Sequence, residues 1–131
     1  MSEPRPIAPP DALTAPWWEA TSEERLLVQR CGSCGNAQHY PRSLCTKCWS
    51  ADLAYVESPG EGEVYSYTVV HRSPHPAFAA PYTVALVRLD EGPVILTNIV
   101  GGEVGCGSRV RVVWEDLSDG RKLPLFTPVG G

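Results

Sequence analysis

Two Cys-x-x-Cys pairs constrain this chain more than any other feature. Cys31 and Cys34 form the first pair, Cys45 and Cys48 form the second, and ten residues separate them. A two-residue gap lets both thiolates of a pair face one ion, while the backbone amides of the tight turn point at the sulfurs. Four thiolates with no open position suit zinc in a structural site. Iron fits the same geometry, and the sequence does not exclude it.

The same cysteines are compatible with disulfides or with a redox-active pair. A redox pair is expected as a single Cys-x-x-Cys in a βαβ context, which neither pair has. Five cysteines in 131 residues are too few for a disulfide scaffold, and the odd count argues against complete pairing in a secreted protein. We therefore predict a four-thiolate metal site, without which its polar, glycine-rich segment should not fold.

Length and charge exclude several functional classes. A chain of 131 residues makes one ordinary domain or two very small ones. No run approaches the roughly 18 apolar residues of a membrane helix, and the proline-rich start lacks the apolar stretch of a signal peptide. We therefore expect a cytoplasmic protein without a membrane partner. Eleven Lys and Arg against fifteen Asp and Glu give a formal charge of -4, which disfavours nucleic acid as a partner.

The chain divides into three parts by composition. Four prolines predict an extended arm or linker over 1–12. A short helix, with Thr14 as N-cap and its end by Ser22, then leads into the cysteine segment, and together they form a first unit over 13–58. Residues 59–131 form a second, strand-rich unit. We predict a mainly β protein.

The second unit reads as a set of short strands. Valine, threonine, tyrosine and leucine runs alternate with turn residues, and Val64, Ser66, Thr68 and Val70 are predicted to share one face of the first strand. Five antiparallel strands in about 70 residues suit a closed barrel, because closure removes exposed sheet edges. We predict a five-stranded OB-type barrel with strands at 63–71, 82–89, 94–100, 109–115 and 123–129.

With these residues set out, the chain resembles the DUF35 family, in which an N-terminal helix and a rubredoxin-like zinc ribbon precede an OB-fold domain associated with acyl-CoA. The resemblance extends over 17–128, and its only sharp motif is the cysteine quartet. The other resembling segments are the aromatic pair with its acid at 17–19, then 27–34, Tyr40 and Pro41 ahead of Cys45, 62–70 and 89–100.

The resemblance also implies a function. It implies a non-catalytic partner of a thiolase-like, acyl-CoA-handling enzyme, which in steroid pathways is an aldolase that cleaves side-chain acyl-CoA thioesters. A 2:2 hetero-complex, a CoA thioester held jointly with the partner, and fusion to or association with a hydratase-like protein are further expectations. The chain would then be a required component of an aldolase or acyltransferase complex.

Few residues outside the quartet suggest chemistry of their own. Cys106 lies between two glycines with no basic residue near in sequence to lower its pKa, so we predict a bystander thiol. His71 and Arg72 end the first predicted strand, at a loop where OB barrels often bind ligands or partners. We predict no catalytic residue and no turnover by the isolated chain.

Trp17 and Trp18 are the other candidates for partner contact, with His71 and Arg72. Neighbouring helical positions point about 100° apart, so both rings cannot easily face inward. Tryptophan is enriched in interface hot spots, which favours docking. Packing of the pair onto the barrel or ribbon is an equal alternative.

Two rival functions follow from the same sequence. Zinc ribbons and OB barrels also serve single-stranded nucleic-acid binding, and Tyr65, Tyr67 and Phe78 are suited to stacking on bases. The negative charge opposes this function. The third hypothesis is an enzyme that uses Cys106 or the His71 region.

Overall fold

The computed structural model describes residues 8–129 and is mainly β, as predicted. Part of the predicted arm, residues 1–7, lies outside the described residues. One helix, α1, and eight strands follow in chain order: α1 Ala15–Ser22, β1 Leu26–Cys31, β2 Ala37–Gln38, β3 Leu53–Ser58, β4 Glu61–Val70, β5 Tyr82–Leu89, β6 Val94–Ile99, β7 Arg109–Asp116 and β8 Lys122–Pro128. Within residues 8–129, no helix has the length and apolar character needed to cross a membrane.

Helix α1 begins and ends close to the predicted positions, but its start differs in detail. Thr14 has helical backbone angles and its side chain makes no capping hydrogen bond. Its hydroxyl instead accepts a hydrogen bond from the Asp11 amide (3.1 Å), and the Thr14 amide donates to the Asp11 carboxylate (2.8 Å). Thr14 therefore occupies the predicted N-cap position, but its side chain does not cap the helix, because its hydroxyl accepts from the Asp11 amide.

The cysteine segment folds around a small antiparallel sheet in the order β2-β1-β3. Strand β1 pairs along its whole length with β3, from Leu26 opposite Ser58 to Cys31 opposite Leu53. Leu26 and Val28 are buried in the core, and Cys31 is buried at the end of the strand. The sheet thus connects the hydrophobic core to the first knuckle, which is the turn that carries Cys31 and Cys34.

The five later strands form the predicted closed barrel, an OB-fold, in the order β4-β5-β6-β8-β7. The hairpins β5–β6 and β7–β8 form as predicted. The barrel closes where Glu61–Glu63 of β4 pair with β7, and where β6 and β8 meet in parallel at Ile99 and Phe126. The prediction that all five strands are antiparallel is therefore wrong for this pair, because β8 returns beside β6 after pairing with β7. Val64, Val87, Val110 and Phe126 fill its interior, all less than 2% exposed.

A β-bulge at Tyr65 changes the predicted facing of β4. The pairing register with β5 shifts between Val64 and Ser66, so Tyr67 lies opposite the buried Ala85. Side chains that lie opposite one another share a face, and Ser66 therefore faces away from Val64. The prediction that Val64, Ser66 and Thr68 share a face is wrong, because a bulge inserts one unpaired residue.

A two-residue step connects the ribbon sheet to the barrel. Pro59 and Gly60 separate β3 from β4, and Gly60 has φ +75°, which favours glycine. A Cβ at Gly60 would lie 2.2 Å from a methyl of Val112. The Gly60 carbonyl accepts from the Val112 amide (2.7 Å), and its amide donates to the Ser58 hydroxyl (3.0 Å). The backbone at this step is therefore fixed on both sides.

Candidate metal centre

The four predicted ligands, Cys31, Cys34, Cys45 and Cys48, lie together with all their sulfurs within 4.8 Å of one another. The Sγ atoms of Cys31 and Cys48 are 3.6 Å apart, as are those of Cys34 and Cys45. Sulfurs bonded to one tetrahedral zinc at about 2.3 Å lie about 3.8 Å apart. The quartet therefore has the spacing that one tetrahedral ion requires.

The two knuckles have the same backbone design. In the first, the Cys31 amide donates to the Asn36 carbonyl (2.8 Å) and the Gly35 amide donates to the Cys31 carbonyl (2.9 Å). In the second, the Cys45 amide donates to the Ser50 carbonyl (2.8 Å) and the Trp49 amide to the Cys45 carbonyl (3.0 Å). Each knuckle also points an amide at its first sulfur, from Ser33 and from Lys47, both at 3.4 Å. The ribbon presents its four thiols from two equivalent turns.

The knuckle amides favour ionisation of some thiols more than others. The backbone amide of Cys48 and that of Lys47 lower the pKa of the Cys45 thiol to about 6. The Ser50 amide acts in the same sense on Cys48, but burial and the three neighbouring thiols raise the pKa of Cys48 to about 12. Four thiolates at this spacing repel one another, so a bound cation is needed before all four ionise. The donor set thus fits a divalent, thiophilic metal.

Two buried glutamines, Gln29 and Gln38, hold the segment between the knuckles. They lie opposite each other on β1 and β2, and Gln38 Nε2 donates to Gln29 Oε1 (2.9 Å). Gln29 also accepts from the Arg42 amide (2.9 Å) and donates to the Arg42 carbonyl (3.0 Å). Gln38 accepts from the Thr46 amide (2.9 Å) and hydroxyl (3.1 Å), and donates to the Leu44 carbonyl (3.3 Å). The glutamines thereby position the backbone on both sides of Cys45.

This glutamine pair is not among the site residues predicted from the sequence. The sequence does mark one of the two glutamines, because Gln29 interrupts the apolar run that begins at Leu26. A polar side chain at a buried strand position needs internal partners, but the identity of those partners depends on the fold.

The predicted partner residues occupy different environments. Trp17 is 6% exposed, packs edge-on against Trp18 with ring centres 4.7 Å apart, and donates to the Leu27 carbonyl (2.9 Å). Trp18 is half-buried, with the Arg121 guanidinium 4.5 Å from its ring centre. Trp17 is thus packed within the chain, and contact of Trp17 with a partner stays a prediction. Contact through Trp18 stays a prediction.

His71, Arg72 and Cys106 lie apart from the cysteine quartet. His71 and Arg72 are exposed directly after β4. Cys106 is exposed, and its loop lies against the barrel, where the Gly107 amide donates to the Val64 carbonyl (2.8 Å). The structure brings none of the three to the quartet, and partner contact by His71 and Arg72 stays a prediction.

Two apolar cavities lie side by side along β6 and β8. The first, of about 290 Å³, lies between α1, the ribbon and the barrel, and its lining includes Trp17, Trp18, His39 and Tyr40. Burial in this region lowers the pKa of His39 to about 4. The second, of about 270 Å³, includes Phe78 and Tyr82. Both cavities share Leu96, Leu123 and Pro124 in their linings. This groove is not predicted from the sequence, because it forms only where helix, ribbon and barrel meet.

Family models match both parts of the chain. Residues 18–54 match the rubredoxin-like zinc ribbon domain of ChsH2, and residues 55–115 match the C-terminal OB-fold domain of ChsH2.

Curated relatives and a solved structure agree with these matches. A probable enoyl-CoA hydratase alpha subunit of Thermomonospora curvata is 41% identical over 96% of this chain, which spans only 41% of that relative's length. A DUF35 domain-containing scaffold protein of Methanocaldococcus jannaschii is 32% identical over 84% of this chain and 85% of its own. The solved Ltp2-ChsH2(DUF35) aldolase contains a chain 42% identical to this one, with a TM-score of 0.82 and coverage of 95% of this chain and 98% of that one. This chain, with its zinc ribbon and its OB-fold barrel, therefore belongs to the DUF35 family.

Proposed function

We propose that this chain is a non-catalytic accessory subunit that binds and stabilises a thiolase-like acyl-CoA enzyme and helps to complete its substrate passage. The observation that carries the proposal is the match to a chain of the Ltp2-ChsH2(DUF35) aldolase, 42% identical and covered at 98%. The likeness spans ribbon and barrel together. The archaeal relative named as a scaffold protein supports the same role.

Exposed apolar side chains on β4 supply one surface for docking. Tyr65, Tyr67 and Val69 are 54%, 41% and 41% exposed. In the described part of the chain, β4 pairs with β7 only through Glu61–Glu63, so beyond the bulge β5 alone flanks it. Beyond the bulge, Tyr67 and Val69 share one face of β4, and exposed apolar side chains grouped on one face commonly mark a protein interface. Trp18 and the exposed His71 and Arg72 are the further contacts that we propose.

The apolar groove supports joint binding of a CoA thioester. The groove runs beside β6 and β8, and the loop that follows Arg72 contributes Phe78 to its lining. We propose that the acyl group passes this groove while the partner closes its open side, since ligand sites are concave and mostly apolar. A steroid side chain as the acyl group, and an aldolase reaction in the partner, are the finer form of this proposal.

The metal has a structural role in this proposal. Cys31, Cys34, Cys45 and Cys48 would hold one zinc ion and leave no position for substrate. Metal binding by such quartets contributes roughly 10 to 16 kcal/mol, which is enough to fold a segment with few buried aliphatic residues. The metal would thereby stabilise the surface that the ribbon presents.

A hydratase-like protein is a second candidate partner. The Thermomonospora curvata relative is named as a hydratase alpha subunit, and this chain spans 41% of its length. We therefore propose fusion to, or association with, a hydratase-like protein as the alternative.

Mixing experiments with purified proteins test the proposal. The zinc-loaded chain is combined with the purified Ltp2 subunit of the related aldolase, and complex mass is measured by size-exclusion chromatography with light scattering. We expect a 2:2 complex, and no acyl-CoA turnover by the isolated chain. Turnover by the isolated chain would overturn the accessory role. Failure to bind Ltp2 together with binding to a hydratase-like protein would assign the second partner instead.

A further inference from the structure

Trp49 occupies a backbone position where the equivalent knuckle has glycine. The amides of Gly35 and Trp49 make the same hydrogen bond in their respective knuckles, and the two residues have φ +77° and +68°. Side chains with a Cβ rarely adopt this left-handed region, and for a bulky residue it is strained. The second knuckle therefore carries a cost that glycine would avoid.

Packing within the chain does not offset this cost. Trp49 is 76% exposed, more than any other exposed large apolar residue of the described chain. Tyr40 offers a contrast, because it also has positive φ, at +65°, yet its hydroxyl contacts the Leu96 amide (3.3 Å). Strained residues of this kind persist mainly where they serve function. An exposed indole on a rigid metal knuckle is suited to contact with another molecule.

The surroundings of Trp49 are apolar in the centre and basic at the rim. A groove of about 560 Å³ is lined by Trp49 and Leu44 together with Leu13 and Pro41. Arg42 belongs to the same lining, and Lys47 lies two positions before Trp49 in the sequence. Both are exposed, and neither forms an ion pair with any residue from 8 to 129. No acidic residue occurs between positions 40 and 50, although the whole chain has a formal charge of -4. Arg42 and Lys47 are thus the charged side chains of residues 40–50, and both are cationic.

We propose that Trp49 is the anchor by which the ribbon docks onto the partner enzyme, with its indole in an apolar cleft whose rim carries carboxylates. This inference rests on the proposed accessory function and names the surface that it uses. Tryptophan and arginine dominate interface hot spots. A basic rim selects an acidic counterpart by charge complementarity. The groove beside Trp49 receives apolar side chains from the same partner surface.

Replacement of Trp49 by glycine separates docking from folding. Trp49→Gly removes the indole and relieves the left-handed strain, so metal content should be unchanged and the melting temperature should not fall. The dissociation constant for Ltp2, measured by isothermal titration calorimetry, should rise at least tenfold. Val129→Ala is the matched control, because Val129 is an exposed apolar residue outside this patch. The affinity of this variant for Ltp2 should stay within threefold of that of the unaltered chain.

The charge reversal Lys47→Glu tests the acidic rim separately. We expect weaker binding to Ltp2, with a smaller dependence of affinity on salt. Binding of Trp49→Gly within threefold of the unaltered chain would overturn the inference while leaving the accessory function intact. A melting temperature lowered by more than about 5 °C, or unaltered binding by Lys47→Glu, would also overturn it. If the unaltered chain does not bind Ltp2, both the inference and the accessory function with this partner fail.

Discussion

Replacing Gln38 by leucine should weaken metal binding without touching a ligand. The change keeps a similar volume and removes every hydrogen bond of the side-chain amide. Gln29 Oε1 retains the Arg42 amide as a donor (2.9 Å), and the exposed Thr46 hydroxyl can bond to water. The Thr46 amide and the Leu44 carbonyl lose their Gln38 partners at 2.9 and 3.3 Å. These two backbone groups therefore bear most of the cost.

The expected size follows from the cost of polar groups left without partners. Each such group costs about 1 to 3 kcal/mol, and partial access to water favours the lower half of that range, so the total is about 2 to 4 kcal/mol. The second knuckle folds together with its metal, and the loss should therefore appear as a reduced apparent metal affinity. At 1.4 kcal/mol per factor of ten, the reduction is about 30- to 700-fold.

Competition with a chromophoric chelator at fixed pH measures this affinity directly. Thr97→Val is the matched control, because it removes a buried hydrogen bond to the Pro124 carbonyl (3.0 Å) in the barrel. The control should lower the free energy of unfolding by about 1 kcal/mol and leave metal affinity within threefold. Metal affinity of Gln38→Leu within threefold of the unaltered chain would refute the reasoning that the glutamine pair positions the knuckle.

Four further outcomes are expected. Cys45→Ser should abolish stoichiometric metal, and elemental analysis of the unaltered protein should give one ion per chain and decide between zinc and iron. Phe126→Ala should lower the free energy of unfolding by about 3 to 5 kcal/mol in urea denaturation, because Phe126 is fully buried in the barrel. Burial holds the pKa of His39 at about 4 in the folded chain, against 6.5 in the unfolded chain. The unfolded state therefore binds more protons below pH 6.5, and the free energy of unfolding should fall by about 2 kcal/mol between pH 6.5 and pH 4.5. The His39→Phe variant should lose less free energy of unfolding over the same pH range. An equal loss in the variant would show that His39 is not the origin of the pH dependence. Single-stranded DNA should not bind at micromolar concentration in about 150 mM salt, as tested by fluorescence anisotropy.

Features governed by local rules could be predicted from the sequence. The cysteine quartet follows from spacing alone, because a two-residue gap fixes the geometry of each knuckle. The β5–β6 hairpin follows from two largely apolar runs joined by the turn residues at 90–93. Both features depend on residues that are neighbours in sequence. The closed barrel could be predicted from the number of short strands, because closure removes exposed sheet edges.

Features governed by tertiary contact could not be predicted. The bulge at Tyr65 depends on register with β5, and alternation within β4 alone gives the opposite facing for Ser66. The burial of Trp17 depends on the Leu27 carbonyl, to which its indole donates. The roles of Gln29 and Gln38 depend on a loop that returns to β1 and β2 only in the fold.

The short step at Pro59 and Gly60 has a consequence for the entropy of assembly. Contacts to Ser58 on one side and Val112 on the other restrain this backbone, and no side chain fits at Gly60. Ribbon and barrel therefore approach another protein as one preformed body. Binding then forfeits little internal freedom, whereas two units on a flexible tether would have to be ordered during association. A longer, more mobile junction would leave every contact residue unchanged and still lower the affinity of the complex.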